Sequence, residues 1–218
     1  MFRKRAAALT AVLAVGTAVQ LPVAHGAPQP AFRWSESRVS ATQLGGSWHS
    51  GCPVGPSELR TVHLTFWGFD HQAHTGALVV RSTAVQAVVS AFRAMYAGKF
   101  PFRHMWPIAK YDGNDYRSMR NDNTSAFNCR YAKANGPKQW SMHAYGEAVD
   151  LNPVENPYEF NGNVIPRNGA PYMNRKNVRP GMVVPGSRPV RAFSAVGWGW
   201  GGNWSGSPDY QHFSTNGH

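Results

Sequence analysis

Two polar stretches far apart in the chain carry residue types that could bind a metal ion. His143 and Asp150 lie seven residues apart in the stretch 141–150, and His212 lies in the stretch 209–213. Neutral imidazole and carboxylate are both good ligands for a divalent cation such as zinc. A single buried histidine is usually a hydrogen-bonded core residue, but we predict that these three side chains form one metal site.

A further carboxylate lies next to the third predicted ligand. Asp209 precedes His212 by three residues and could stay off the metal and face its open position. Three protein ligands and a water are typical of a catalytic zinc site, whereas structural sites usually have four protein ligands. A free carboxylate beside that water can act as a general base. The alternative for Asp209 is a structural role in a turn after Pro208, a position where Asp is common.

The spacing of the first two ligands also predicts the local backbone. Gly146 between them weakens a helix, and an odd separation along one strand would point the two side chains to opposite faces. A turn at Gly146 followed by a short buried strand, Glu147–Leu151, resolves both problems. We expect Tyr210–Ser214 to be a closing strand beside it, so that His212 faces His143.

The two stretches together resemble a known family of peptidases. The pattern Ser-x-His-x-x-Gly-x-Ala-x-Asp over residues 141–150, followed by acidic-x-x-His over 209–212, is similar to that of the zinc D-alanyl-D-alanine carboxypeptidases and the related L-alanyl-D-glutamate endolysins. These enzymes cut peptidoglycan stem peptides and share a core with lysostaphin-type peptidases and the hedgehog signalling domain. The resemblance covers residues 59–213. It implies Zn²⁺ as the cofactor and D-alanyl-D-alanine carboxypeptidase as the activity. The alternatives are an endopeptidase on the same polymer and a metal-holding binding module without catalysis.

The resemblance also implies roles for residues outside the metal set. The family places an Arg two to three dozen residues before the first His, and Arg117 matches that position; its planar fork would bind a substrate carboxylate or carbonyl in a way that Lys could not copy. Arg120 and Arg130 compete for this role, and a surface Arg is the alternative for Arg117. Ser141 stands where the family has a polar residue near the substrate, or it hydrogen-bonds within the loop. Family members often carry Glu where this chain has Asp209, whose carboxylate is one methylene shorter.

The N-terminus predicts export. A basic segment, residues 3–5, precedes an apolar segment, residues 6–19, and a small-x-small site ends at Gly26. This pattern is typical of a secretory signal peptide over residues 1–26, with a retained N-terminal anchor as the alternative. We therefore expect a secreted, cell-wall-associated protein with no stable membrane span after cleavage.

The charge balance favours polyanionic partners. The 218-residue chain has 22 Lys and Arg against 11 Asp and Glu, a formal charge of +11. Nucleic acid and an anionic bacterial wall both fit such a surface. Because the Arg residues are scattered and no basic run contains interleaved aromatics, we expect the cell wall and its stem peptides to be the partners rather than nucleic acid. The oligomeric state has no signature in the sequence.

Two cysteines, Cys52 and Cys129, predict a disulfide, because an exported protein enters an oxidising compartment. Two free buried thiols are the alternative. The closed loop is long, so the bond should stabilise the fold by about 4 kcal/mol.

The periodicity predicts an α+β fold, with a small, mainly antiparallel sheet and helices packed on one side; the resemblance implies the arrangement of the hedgehog and D-Ala-D-Ala peptidase domains. We expect a flexible lead over residues 27–57 and a zinc peptidase domain over residues 58–218. The predicted elements are strands over 59–67 and 77–80, helices over 83–97, 124–131 and 188–196, and a long loop over 152–185.

Overall fold

A computed structural model describes residues 30–133 and 135–218, so the signal peptide predicted for residues 1–26 lies outside the described residues. Residues 31–218 form one compact α+β unit, which holds four small sheets and few helices within the described ranges. No helix among the described residues is long and apolar enough to cross a membrane.

The strands are β1 (Trp34–Arg38), β2 (Leu59–Gly68), β3 (Ala73–Arg81), β4 (Pro101–Phe102), β5 (His104–Met105), β6 (Asn123–Thr124), β7 (Ala148–Asp150), β8 (Tyr158–Phe160), β9 (Asn163–Ile165), β10 (Gly199–Trp200) and β11 (His212–Ser214). The α-helices are α1 (Ala41–Leu44), α2 (Val85–Ala97), α3 (Asp115–Arg120) and α4 (Arg188–Ser194).

The largest sheet is built on the β2–β3 hairpin. Val62, Leu64 and Phe66 alternate with more accessible residues and point into the core, as expected for a strand with one buried face. Both strands are longer than predicted, and they pair antiparallel from Leu59 opposite Arg81 to Trp67 opposite Ala73. β1 pairs antiparallel with β2, and β4 adds a short parallel pairing at the end of β2.

Helix α2 covers this sheet with one apolar face. Its buried residues recur at three- and four-residue steps, which is the period of a helix face: Val85, Val88, Val89, Ala91, Phe92, Met95 and Tyr96. The helix ends at Ala97, as predicted, and the N–H of Gly98 bonds to the last carbonyls. α4 and the strands β7 and β11 contribute to the same core, which therefore extends beneath the predicted metal site.

Residues 34–57 differ from the flexible lead that their composition predicted. β1 covers an edge of β2, and α1 begins with a reciprocal capping box between Ser40 and Gln43. Val39, Leu44 and Val54 are buried in a second apolar cluster. Most of the few large apolar residues of this segment pack there, with Trp34 the exposed exception, and the Pro- and Ser-rich composition around them conceals this packing.

The predicted disulfide is present between Cys52 and Cys129, whose Sγ atoms are 2.01 Å apart. It links this second cluster to the segment that precedes the metal motif. Cys129 also donates its backbone N–H to the carbonyl of Ser47 at 2.9 Å.

The helix predicted over residues 124–131 is wrong. The chain there is extended: Ser125 bridges to Asp150, and Phe127 donates its backbone N–H to Val79 at 2.9 Å. Pairing with neighbours on both sides satisfies the buried backbone groups, so a helix has no advantage. The structure instead forms α3, capped by the Asn114 side chain, and the predicted loop over 152–185 contains the β8–β9 hairpin.

Candidate metal centre

Strand pairing brings the second and third predicted ligands together. β7 and β11 pair antiparallel with His212 directly opposite Asp150. Opposed residues share a face of the sheet, so these two side chains lie side by side. The next pair, Val149 and Phe213, points to the other face and is fully buried in the core. The expected closing strand is thus confirmed.

His143 reaches the same place from a tight turn. It lies in a 3₁₀ helix, Met142–Tyr145, whose first backbone groups are capped by Ser141. Gly146 ends this turn with φ 69°, and a Cβ there would come within 2.6 Å of the backbone N of Arg81. Because Arg81 also donates that N–H to the carbonyl of Gly146 at 2.9 Å, the turn is fixed against β3 and only glycine fits.

The three ligand atoms form a small triangle. His143 Nε2 lies 3.2 Å from His212 Nδ1, and Asp150 Oδ1 lies 3.1 Å from each of these nitrogens. Ligands at zinc–nitrogen distances near 2.0–2.1 Å in a tetrahedral site are separated by about 3.3 to 3.4 Å. All three residues are buried. The spacing of the donor atoms therefore fits one small divalent cation.

The proton positions point to the same conclusion. His143 Nδ1 donates to the carbonyl of Ala126 at 2.6 Å, and His212 Nε2 donates to the backbone oxygen of His218 at 3.3 Å. Since a carbonyl only accepts, the neutral rings carry their protons on these outer nitrogens. Three lone pairs then converge with no proton between them, an arrangement that a cation stabilises. Such outer hydrogen bonds also fix the orientation of metal-binding imidazoles.

Protonation of both imidazoles gives the alternative state without a cation: burial opposes ionisation of Asp150, but the charges and hydrogen bonds of protonated His143 and His212 then outweigh it and hold the pKa of Asp150 below its ordinary value. The ligand carboxylate is thus ready to bind a cation.

Asp209 lies beside the three candidate ligands but is not one of the converging donors. It lines the same cavity and is buried, and among the described residues its Oδ1 has no hydrogen-bond partner. Its backbone oxygen accepts from the N–H of His212 at 3.3 Å, which ties it to the third ligand. Burial, and then the negative charge of Asp150, raise the pKa of Asp209 to about 7. A buried carboxyl with a free oxygen next to a cation site is suited to accept and release a proton.

The cavity around the site has a volume of about 410 Å³. Its wall combines the ligand residues with Ser141, Asp209 and Arg130 and with aromatic side chains from three segments, namely Trp140, Tyr158 and Trp204. Trp204 packs beside His212, with ring centroids 5.3 Å apart. The mixture of apolar surface and a few convergent polar groups is typical of a ligand-binding cleft.

The structure places Arg130, not Arg117, at this cavity. The Arg117 side chain is 60% exposed on α3, lies 3.5 Å from Asp112, and does not line the cleft. Arg130 lines it and forms an ion pair with Asp115 at 2.9 Å. Burial opposes the charge of Arg130, but the carboxylates of Asp115, Asp150 and Asp209 outweigh it and raise the pKa of Arg130. The guanidinium therefore interacts electrostatically with the acidic residues of the site.

Sequence reasoning named Arg130 only as a competitor, and its position depends on contacts distant in sequence. The neighbouring Cys129 is anchored by the disulfide, and Arg130 accepts the backbone N–H of Ser141 at 3.1 Å. The one available signal was that Arg130 directly follows a cysteine expected to be bridged. Arg120, the other competitor, does not line the cavity.

Ser141 lines the cavity and is buried, while its Oγ accepts the backbone N–H of His143 at 3.3 Å. The loop role that the sequence left open for Ser141 is therefore present, and its place in the wall is also compatible with substrate contact.

Comparison with known proteins supports the family resemblance for the C-terminal part of the chain. Residues 134–215 match the sequence family described as D-alanyl-D-alanine carboxypeptidase. This segment contains the three candidate ligands and Asp209, whereas Arg130 precedes it. Neither the curated proteins nor the solved structures gave a match.

Proposed function

We propose that this chain, whose residues 134–215 match the D-alanyl-D-alanine carboxypeptidase family, is a secreted zinc-dependent metallopeptidase that hydrolyses peptidoglycan stem peptides. One observation carries the proposal: donor atoms of His143, Asp150 and His212 converge within 3.2 Å of one another beside the buried carboxyl of Asp209. The nitrogen and oxygen donors favour zinc among the common divalent metals.

When bound, the cation supplies Lewis acidity, which polarises a scissile carbonyl and lowers the pKa of a water molecule. Asp209 accepts the proton of the attacking water and passes it to the leaving amine. Its burial strengthens this role, because a charge in a poorly hydrated cavity interacts more strongly with developing charge than it would in water. A pure binding module would not need this carboxyl, so Asp209 favours catalysis.

Arg130 takes the substrate-binding role that the sequence gave to Arg117. Asp115 contacts its Nε, and its Nη1 donates to the backbone oxygen of Tyr131 at 3.3 Å. These contacts hold the guanidinium at the cavity, where Nη2 can donate to a carboxylate or carbonyl of the substrate. A C-terminal carboxylate placed there would make the reaction the release of a terminal D-alanine.

The carboxypeptidase reaction is our first choice, and an endopeptidase of the L-alanyl-D-glutamate type is the second. The latter is favoured by a further cavity that adjoins the first and could bind more of the peptide. The disulfide and the charge of +11 support a location outside the cell against an anionic wall.

Digestion of purified muropeptides, with and without a chelator, tests the proposal. Mass spectrometry should show release of a single alanine for a carboxypeptidase, or two peptide fragments for an endopeptidase, and the chelator should stop either reaction until zinc is restored. Cleavage that persists in the chelator, or no cleavage by the zinc-loaded protein, would refute the proposal.

A further inference from the structure

A second cavity, of about 520 Å³, adjoins the metal cavity. Three residues line both: Lys133, Phe160 and Ile165. The remainder of its wall includes Tyr116 and Arg167, which do not line the first cavity. A substrate that extends from the metal site over these shared residues would therefore meet a second set of side chains.

The charge in this cavity has one sign. Lys133 and Arg167 are exposed cations, no carboxylate lines the cavity, and neither cation forms an ion pair within the described ranges. Two unpaired cations around one concave surface attract an anionic ligand group.

The backbone that carries these cations is held in place. Tyr158 donates its hydroxyl to the backbone oxygen of Lys133 at 3.0 Å. Two hydrogen bonds, of 3.2 and 3.3 Å, join the side-chain amides of Asn135 and Asn161 across the loop and the β8–β9 turn. The loop that bears Lys133 is thereby fixed on the hairpin, which leads directly into the turn of Arg167. Because the backbone beneath the two cations is already ordered, binding does not have to pay the entropy of ordering this loop.

We infer that this second cavity is a substrate subsite that binds a carboxylate of the peptide remote from the scissile bond. The inference rests on the proposed function and extends it, since it defines the substrate as an acidic peptide that occupies both cavities. Tyr116 and Phe160 would contact the apolar part of that residue, while Lys133 and Arg167 would contact its carboxylate.

The test uses two synthetic stem peptides that differ only in whether the remote carboxylate is free or is a primary amide. For the zinc-loaded protein we expect kcat/KM to be about fivefold higher for the free acid, the size of one or two exposed charge pairs. This ratio should fall in high salt, which screens exposed charges. The double variant Lys133→Gln/Arg167→Gln should bring the ratio to about one.

The double variant Arg38→Gln/Lys176→Gln is the matched control, because both residues are exposed, line neither cavity and together give the same change of charge. It should keep the wild-type ratio. Calorimetric binding of the same two peptides provides a readout that does not need cleavage, so a failure of the peptidase proposal can be distinguished from a failure of the subsite. Equal kcat/KM and equal affinity for acid and amide, or a preference that survives in the double variant, would overturn the inference.

Discussion

Replacement of Asp209 by Asn separates proton transfer from metal binding. The carboxyl lies beside the three ligand atoms, but it is not one of the donors that converge. Asn fills the same space and removes a buried charge, so the fold should remain intact. We therefore expect Asp209→Asn to retain one zinc per chain and to lose most of its activity.

The size of the loss follows from what the side chain does. Asp209 Oδ1 is buried and has no hydrogen-bond partner in the described part of the chain. This oxygen is therefore free to accept a proton from the reacting water. A positioned general base contributes about 10²- to 10⁴-fold to the rate. A loss of about 10³-fold in kcat corresponds to about 4 kcal/mol of transition-state stabilisation. Because the substrate contacts remain, KM should change little.

The assay measures muropeptide turnover by mass spectrometry and zinc content by elemental analysis on the same preparations. Asp150→Asn provides the contrast, since it removes a ligand and should lose zinc as well as activity. Glu159→Gln provides the matched control: this carboxylate lies on β8 near the site but does not line the cavity, and its removal should leave turnover close to wild type.

Two results would refute the reasoning. If Asp209→Asn kept turnover within about threefold of wild type with full zinc, far less than a general base contributes, the residue would not be the base. If it lost zinc together with activity, Asp209 would be a ligand, and the assignment of the three converging donors would need revision.

Two further predictions concern charged residues around the site. Arg130→Lys should lower kcat/KM on stem peptides about tenfold or more, because Lys cannot copy the planar fork of Arg. Arg117→Lys should keep kcat/KM near the wild-type value. If steady-state kinetics gave the reverse order, the substrate-binding role would return to Arg117. Glu155 is buried and hydrogen-bonds to Asp122, and burial followed by the charge of Asp122 raises the pKa of Glu155 from 4.5 to about 8. An acid whose pKa is raised on folding loses stability as pH rises, so the free energy of unfolding should fall by up to about 1.4 kcal/mol per pH unit between pH 4.5 and 8. Glu155→Gln should remove this part of the slope in urea titrations, and an unchanged slope would show that the carboxyl pair does not share a proton.

The ligand set could be predicted from the sequence because its signals are local. The turn at Gly146 and the alternation around Asp150 and His212 each follow from a few neighbouring residues, and the strand pairing then places the two segments opposite each other. β2 and α2 were predictable for the same reason, since apolar residues alternate over residues 62–66 of the strand and recur at helical steps over residues 85–96. In β3 only residues 77–80 gave such a signal, so its first half was missed.

What could not be predicted depends on distant partners. Ser125 and Phe127 were expected in a helix, yet both pair through their backbones with segments 25 or more residues away. Arg130 reaches the cavity because this extended segment continues past the disulfide at Cys129. No local period reports such contacts, and a helix of six residues such as α3 is too short to produce one.

The metal site and the hydrophobic core depend on the same strand register. Asp150 and His212 face the site because Val149 and Phe213, both fully buried, face the core on the opposite side of β7 and β11. A slip of one residue would exchange these faces, burying a carboxylate and an imidazole among apolar side chains. Burial of a large apolar side chain contributes about 1.5 to 3 kcal/mol, so the core alone strongly opposes such a slip. The ligands are therefore positioned by folding rather than by the metal, and the third, His143, is added by a turn that β3 holds from outside the site.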